Sequence, residues 1–193
     1  MRWQRFFEDL ELQLDTEWEA ERAALDTEAE RLRLSRLTLR ERLAELTGVE
    51  IAIDVIEADG VRGCLTGAGS DWIGIASSAG ARAAVVPLHA IASVAAAEPD
   101  LLRSARPARG RSPLAERMTL GFVLRDVARR RVGVRVVVSG GVSWTGTIDR
   151  AGADHFDLAL HDAGEPRRAS AVIGHRMIGY PALRTLHLDS AEG

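Results

Sequence analysis

The sequence predicts an α+β protein in which a long N-terminal amphipathic helix precedes two tandem units, each a helix followed by a small five-stranded β-barrel. Three observations support this prediction. A stripe of apolar residues runs through the first 46 residues at helical spacing. Two segments of the following sequence recur later at one constant offset. Short alternating runs separated by tight turns then fill each copy, a pattern typical of small β domains.

The long amphipathic, coiled-coil-like helix is predicted over residues 1–34. Its apolar side chains recur at intervals of three and four residues, which places them on one helical face. Six of them are predicted to form a self-association surface: Trp3, Phe7, Leu10, Leu14, Trp18 and Leu25. Thr38-Leu-Arg-Glu41 fits a capping box, so a break near Ser35 and a separate short helix that begins at Leu39 are also predicted.

The repeat rests on two matching pairs of segments. Val49–Val55 recurs as Val132–Val138 and Leu65–Ile75 recurs as Ile148–Leu158, each 83 residues later. An accidental match would not be expected to keep its register over two segments. The repeat also predicts matching turns, formed by Gly69 and Asp71 in the first copy and by Gly152 and Asp154 in the second, with both carboxylates bonding turn amides.

Unit one is accordingly predicted at residues 35–97 and unit two at residues 113–188. Residues 98–112 are rich in arginine and proline and are predicted to be a solvated linker. Ser112-Pro113 is a favourable helix start, so the helix of unit two is expected to run from there to about Arg130. Residues 189–193 are left as a tail.

Unit two resembles the Sm-like branch of the SH3-like barrels. Thr145-Gly-Thr-Ile148 followed by Asp154-His-Phe-Asp-Leu-Ala-Leu160 resembles the first Sm signature, and Met177-Ile-Gly179 with Leu183 resembles the second. The resemblance implies a barrel whose family members hold RNA with an Asp-x-aromatic-x-Asn segment and an Arg-Gly pair. Here Asp157 stands near the expected asparagine and Ile178-Gly179 replaces Arg-Gly, so that RNA site is not carried over.

Composition narrows the functional classes. The chain has 25 basic and 28 acidic residues and a net charge of −3, which is not typical of a general polyanion binder. Cys64 is the single cysteine and has no partner for an internal disulfide, as expected in a reducing cytosol. With neither an apolar leader nor a membrane-length apolar run, the sequence predicts a cytoplasmic protein.

No catalytic or metal-binding signature stands out in the sequence. His155 and His161 are six residues apart, about 20 Å along a strand, which is too far for one ion. Gly67-Ala-Gly-Ser-Asp71 lacks the Gly-Lys-Ser/Thr of a phosphate loop. Cys64 has no identifiable base. We therefore expect a protein that is not an enzyme and has no cofactor or metal.

Charge is unevenly distributed along the chain. Glu8–Glu30 contains ten acids and one arginine, whereas Arg103–Arg135 contains ten arginines and two acids. These blocks either pair with each other, within one chain or between two chains, or form separately solvated surfaces.

The sequence favours a non-enzymatic interaction or scaffold protein that forms a homodimer, or binds another protein, through residues 1–34. The alternative is an RNA- or ribosome-associated factor that binds through residues 103–135. The possible nucleic-acid contacts are Arg103, Arg106, Arg109, Arg111, Arg129, Arg130 and Arg131. Membrane contact by the aromatic N-terminal tip is disfavoured, because anionic lipid repels the acids that follow it.

Overall fold

A computed structural model of the chain describes residues 18–189, except residues 20, 21, 24, 78–82, 107–116 and 165–167. The chain divides into two compact units, Met1–Thr38 and Leu39–Gly193.

The described part of the first unit is helical up to residue 36 and is called α1 here. Two ion pairs lie on its surface, and each joins residues one helical turn apart: Arg31 with Glu28 at 3.8 Å and Arg33 with Glu30 at 2.7 Å. The helix ends where Ser35 Oγ donates to Leu32 O at 2.8 Å, because a serine hydroxyl that bonds a preceding carbonyl competes with the helical pattern. Residues 37 and 38 are not helical.

Three α-helices of the second unit lie wholly within its described residues: α2 (Leu39–Glu45), α3 (Glu98–Ser104) and α4 (Leu120–Arg130). Helix α2 begins at the residue that the capping-box pattern predicts, and Gly48 follows it with a φ of +85°, a conformation that glycine adopts without strain. Helix α4 begins after Thr119, whose hydroxyl accepts a hydrogen bond from Phe122 N at 3.3 Å.

Ten strands, all paired antiparallel, complete the described part of the second unit. They are β1 (Glu50–Val55), β2 (Val61–Ala68), β3 (Trp72–Ala76), β4 (Ala83–Pro87), β5 (Ile91–Ala95), β6 (Gly133–Val138), β7 (Ser143–Ala151), β8 (His155–Leu160), β9 (Gly174–Gly179) and β10 (Leu183–Leu188). They form one continuous sheet in the order β5-β1-β2-β3-β4-β10-β6-β7-β8-β9. Short 3₁₀ turns precede β5, β7 and β10.

The predicted fold class, a long helix followed by two separate barrels, is therefore wrong. The two sets of five strands join in one ten-stranded sheet because β4 pairs with β10 through Val85, Ala84 and Ala83 opposite Leu186, His187 and Leu188. Of the predicted long helix, the described residues show only α1, which ends at residue 36 close to the break predicted near Ser35. A boundary drawn from local sequence could not include this pairing, which joins strands about a hundred residues apart in the chain.

The strands follow the same neighbour pattern in both sets. The first set has the order β5-β1-β2-β3-β4 and the second has the order β10-β6-β7-β8-β9. Gly63 and Gly146 occupy matching positions at close backbone approaches. A Cβ on Gly63 would lie 2.1 Å from Ala76 O, and one on Gly146 would lie 1.9 Å from Ala159 O. Only glycine fits such a contact without displacing the neighbouring strand.

Each set of strands has its own apolar core beneath a helix. Leu43 and Leu46 bring the α2 region onto the first set, and Leu120, Leu124 and Val127 bring α4 onto the second. Inward residues alternate with exposed ones along β1, as expected for a strand with one buried face.

Two segments between the strand sets differ from their predicted form. The linker predicted for residues 98–112 contains α3, which starts with Pro99 in its first turn, a position where proline stabilises a helix. Arg42 holds α3 on α2 by donating to Leu101 O at 2.8 Å and to Ser104 Oγ at 3.0 Å. The helix predicted from residue 113 to about Arg130 is not continuous: Arg117 is helical, Met118 and Thr119 are not, and α4 begins at Leu120, while residues 113–116 lie outside the described residues.

Candidate interaction surfaces

The repeat turns have the same backbone hydrogen bonds in both copies. Gly69 N donates to Trp72 O and Gly152 N donates to His155 O, each at 2.8 Å. The main-chain oxygen of Asp71 accepts from Leu88 N at 2.9 Å, and that of Asp154 accepts from Tyr180 N at 2.8 Å. These two bonds fix each turn to the 3₁₀ segment that follows the fourth strand of its set.

The two turn carboxylates have different partners. Asp71 Oδ1 accepts from Leu120 N at 2.7 Å, so it caps the start of α4 rather than bonding an amide of its own turn. Asp154 Oδ1 lies 2.8 Å from His155 Nδ1, and this side chain is 87% exposed. The hydrogen bond from His155 holds the pKa of Asp154 below its ordinary value. The carboxylate at this position therefore caps a helix in one copy and makes a local hydrogen bond with a histidine in the other.

Further polar contacts join the first strand set to the second. Met118 O accepts hydrogen bonds from Trp72 Nε1 at 3.0 Å and from Ser70 N at 2.9 Å. Glu57 Oε2 accepts from Gly140 N at 3.0 Å. His89 Nε2 lies 3.1 Å from Leu183 O. These bonds accompany the β4–β10 pairing and make the joint between the sets a structural interface.

The predicted self-association stripe is described only in part. Trp18 and Leu25 lie on α1 and are 63% and 66% exposed. Trp3, Phe7, Leu10 and Leu14 lie outside the described residues. Leu32, seven residues after Leu25, is 50% exposed. The described part of the stripe is therefore an uncovered apolar face, and Trp18 does not pack in a core.

The described arginines among the predicted nucleic-acid contacts lie on or just after α3 and at the end of α4. Arg103 on α3 pairs with Asp100 at 2.8 Å. Arg129 and Arg130 at the end of α4 both pair with Asp126, which lowers the pKa of that carboxyl. Arg131 follows α4 in the left-handed conformation. Arg106 is described and exposed, whereas Arg109 and Arg111 lie outside the described residues.

An apolar cavity of about 170 Å³ lies between α2, α3 and the sheet-end strand β5. Its walls include Leu39, Leu43, Leu46, Leu101 and Val94. Ser104 is fully buried at its margin and is satisfied, because it accepts from Arg42 and donates to Leu101 O. Sequence reasoning missed this cavity, since it placed residues 98–104 in a solvated linker.

The described residues contain no group of three or more His, Cys, Asp or Glu side chains that could hold a metal ion. His161, which follows β8, is buried, and its Nε2 lies 2.8 Å from Thr147 Oγ1. Its other ring nitrogen lies 2.9 Å from Asp162 O, so both nitrogens are used in structural contacts. None of the described helices has the length and apolar character needed to cross a membrane.

Comparison of the chain with protein-family models, with curated proteins and with solved structures finds no match. The resemblance to Sm-like proteins therefore stays a prediction.

Proposed function

We propose that this chain is a non-enzymatic, cytoplasmic interaction protein that self-associates through the apolar stripe of α1. The supporting observation is the spacing and exposure of Trp18, Leu25 and Leu32, which follow one another at intervals of seven residues and are half or more exposed. Residues seven apart lie on nearly the same face of a helix, with a drift of about 20°.

A repeat of seven residues is the spacing used by helices that pack side by side. Intervening positions of the same stripe hold Arg22, Ala29 and Arg36, so the seam has one large apolar residue per heptad. Such a seam is narrower and weaker than one with apolar residues at both core positions, and polar core positions restrict register. We therefore propose a reversible association of α1 with its counterpart in a second chain.

RNA binding through the basic segment has less support. Arg103, Arg129 and Arg130 already pair with carboxylates of their own helices. Phosphate binding would have to replace these pairs, which reduces its net gain. Sedimentation of the full chain with and without added RNA therefore distinguishes RNA binding from self-association.

Sedimentation equilibrium of the full chain tests the proposal. Leu25→Glu should weaken self-association by about tenfold or more, because it places a carboxylate in the apolar seam. Leu34→Glu is the matched control, since Leu34 is 45% exposed but lies on the opposite face of α1 from Leu25. Equal effects of the two substitutions would refute association through this stripe.

The same measurement with added RNA separates the alternative. Assembly that requires RNA, and that disappears with nuclease or when Arg129, Arg130 and Arg131 become alanine, would favour the RNA-binding function. The proposal expects an unchanged mass under these conditions.

A further inference from the structure

The two ends of the sheet carry strands of different kinds. Among the described strands, β5 and β9 each have a single neighbour, at opposite ends of the strand order. β5 is the fifth strand of the first set and β9 is the fourth strand of the second. Inside the chain, β4 and β10 are also a fourth strand and a fifth strand, and they pair directly. The sheet therefore ends in a fourth strand, β9, and a fifth strand, β5, and strands of these two positions already pair inside the chain as β4 and β10.

We propose that this chain assembles head to tail with a second copy of itself, by pairing β9 of one copy with β5 of the next so that Met177 enters the cavity beside β5. This interface is separate from the α1 stripe and does not depend on it.

The register of the proposed pairing follows from the internal joint. Val85 lies opposite Leu186 in that joint. Two residues are counterparts here when their strand partners stand 83 positions apart in the repeat. Val85 pairs with Gly74, and Met177 pairs with Asp157, which stands 83 positions after Gly74. Met177 is therefore the counterpart of Val85.

By the same reasoning Val94 is the counterpart of Leu186. Val94 pairs with Ile53, and Leu186 pairs with Val136, which stands 83 positions after Ile53. Met177 should therefore face Val94 of the next copy, and the neighbouring Arg176 should face Ala95.

Burial along the two fourth strands supports this assignment. In β4, Val86 belongs to the core of its own strand set, whereas Val85 belongs to the core of the second set. In β9, Ile178 is the counterpart of Val86 and is also buried in the core of its own set. Met177 occupies the position of Val85, yet it is 75% exposed. It is therefore a core-type side chain at a position where a single chain does not bury it.

If β9 pairs with β5 of the next copy as β4 pairs with β10, the side chain of Met177 points toward the cavity beside β5. Val85 shares the second core with Leu124 of α4 and with Leu186. In the first set the matching space, next to α2 and Val94, contains the 170 Å³ cavity. Apolar cavities of about 150 Å³ accept a molecule the size of benzene. One methionine side chain, which is unbranched and adapts to irregular spaces, fits such a volume.

Disulfide trapping on the full-length chain tests the register. Two variants, Ala95→Cys and Arg176→Cys, are made in a Cys64→Ala background so that Met177 and Val94 stay intact. Residues directly opposite in antiparallel strands have Cα atoms about 4.5–5.5 Å apart, within disulfide range. A mixture of the two variants should give a covalent pair that contains one chain of each, and neither variant alone should do so.

A shifted pair controls for non-specific oxidation. Ala95→Cys mixed with His175→Cys is one residue out of register and should give much less product. Trapping of either variant with itself would indicate a symmetric contact and overturn the proposal. Absence of the mixed product at concentrations where the chain self-associates would also overturn it.

Mass measurements test the role of Met177. In a chain whose α1 stripe carries Trp18→Glu, Leu25→Glu and Leu32→Glu, Met177→Asp should weaken the remaining association by about tenfold or more. Ile173→Asp is the control, because Ile173 is 82% exposed but lies outside the strands. Equal effects of the two aspartates, or a monomer before either is introduced, would refute the proposal while leaving association through α1 unaffected.

Discussion

Replacing Asp71 by alanine removes the carboxylate that caps α4 from a strand set 49 residues earlier in the chain. Asp71 Oδ1 accepts from Leu120 N at 2.7 Å. Loss of a capping oxygen costs about 1 kcal/mol, within a range of about 0.5–2 kcal/mol. A negative charge at a helix N-terminus contributes about 0.3–1 kcal/mol more. Because Asp71 is exposed, the expected loss in the free energy of unfolding is about 1–2 kcal/mol.

The repeat supplies a matched control for this substitution. Asp154 holds the same place in the second copy, but its Oδ1 lies in an exposed hydrogen bond with His155 Nδ1. Substitutions at exposed sites of this kind change stability little. Urea unfolding followed by far-UV circular dichroism should give an unchanged m-value and a lower midpoint for Asp71→Ala only. In thermal unfolding the same loss corresponds to roughly 2–8 °C for a chain of this size.

Equal losses in the free energy of unfolding for Asp71→Ala and Asp154→Ala would refute the assignment of Asp71 as the α4 cap. The effect would then come from the turn that both residues share and not from the helix that only Asp71 caps. A larger loss for Asp154→Ala would refute it more directly. Asp71→Asn provides a further check, since the amide oxygen still accepts a hydrogen bond and should recover most of the capping contribution.

Three further predictions concern the core, the close strand contact and the exposed turn. Leu124→Ala should lower the free energy of unfolding by about 2–5 kcal/mol in urea titrations, because Leu124 is fully buried in the second core. Gly146→Ala should cost more than about 1 kcal/mol, since a Cβ would meet Ala159 O, whereas Gly174→Ala should cost little because its nearest neighbour is Leu160 Cδ1 at 3.7 Å. His155→Ala should raise the pKa of Asp154 toward its ordinary value in a carboxyl NMR titration. With His155 present, the stabilisation by this pair is complete above the unfolded-state pKa of the carboxyl and is lost as pH falls through the lowered one.

Local pattern predicted the positions of the repeat turns and the start of α2, because short-range chemistry determines them. The offset of 83 residues places Gly69 and Gly152 in turns with the same hydrogen bonds. The capping-box pattern predicts the start of α2 at Leu39, where the structure has it. Each of these features depends on residues within one turn of backbone, so the local sequence is sufficient to predict it.

The joint between the strand sets was missed although the sequence contains a signal for it. In β4 the adjacent residues Ala84, Val85 and Val86 are all buried, so both faces of the strand are covered. Continuous apolar runs of this kind are typical of strands buried on both faces. A separate small barrel would leave one face of such a strand in water. The run in β4 therefore indicated a second packing partner, whose identity only the long-range pairing with β10 supplies.

The contacts of the predicted site residues could not be predicted from local pattern, because a surface residue's partners are not specified by the residues next to it in sequence. The arginines of residues 103–131 read as a basic patch, yet Asp100 and Asp126 stand one helical turn away from three of them. Spacing of three or four residues on a helix makes such pairs expected. Trp18 was predicted to belong to a self-association surface and is exposed on α1, but spacing gives the direction of a side chain and not which partner covers it.

Two unlike association surfaces on one chain have a consequence for assembly size. A helix seam that pairs with a copy of itself closes after two chains, whereas a head-to-tail contact between β9 and β5 continues until a ring closes or a filament forms. If both operate, the full chain should form assemblies larger than a dimer. Disrupting the α1 stripe should then leave the head-to-tail series, and Met177→Asp should leave α1 dimers. The mass of the two variants therefore distinguishes the interfaces: a shared loss of all association would mean that one surface serves both roles, and would contradict their independence.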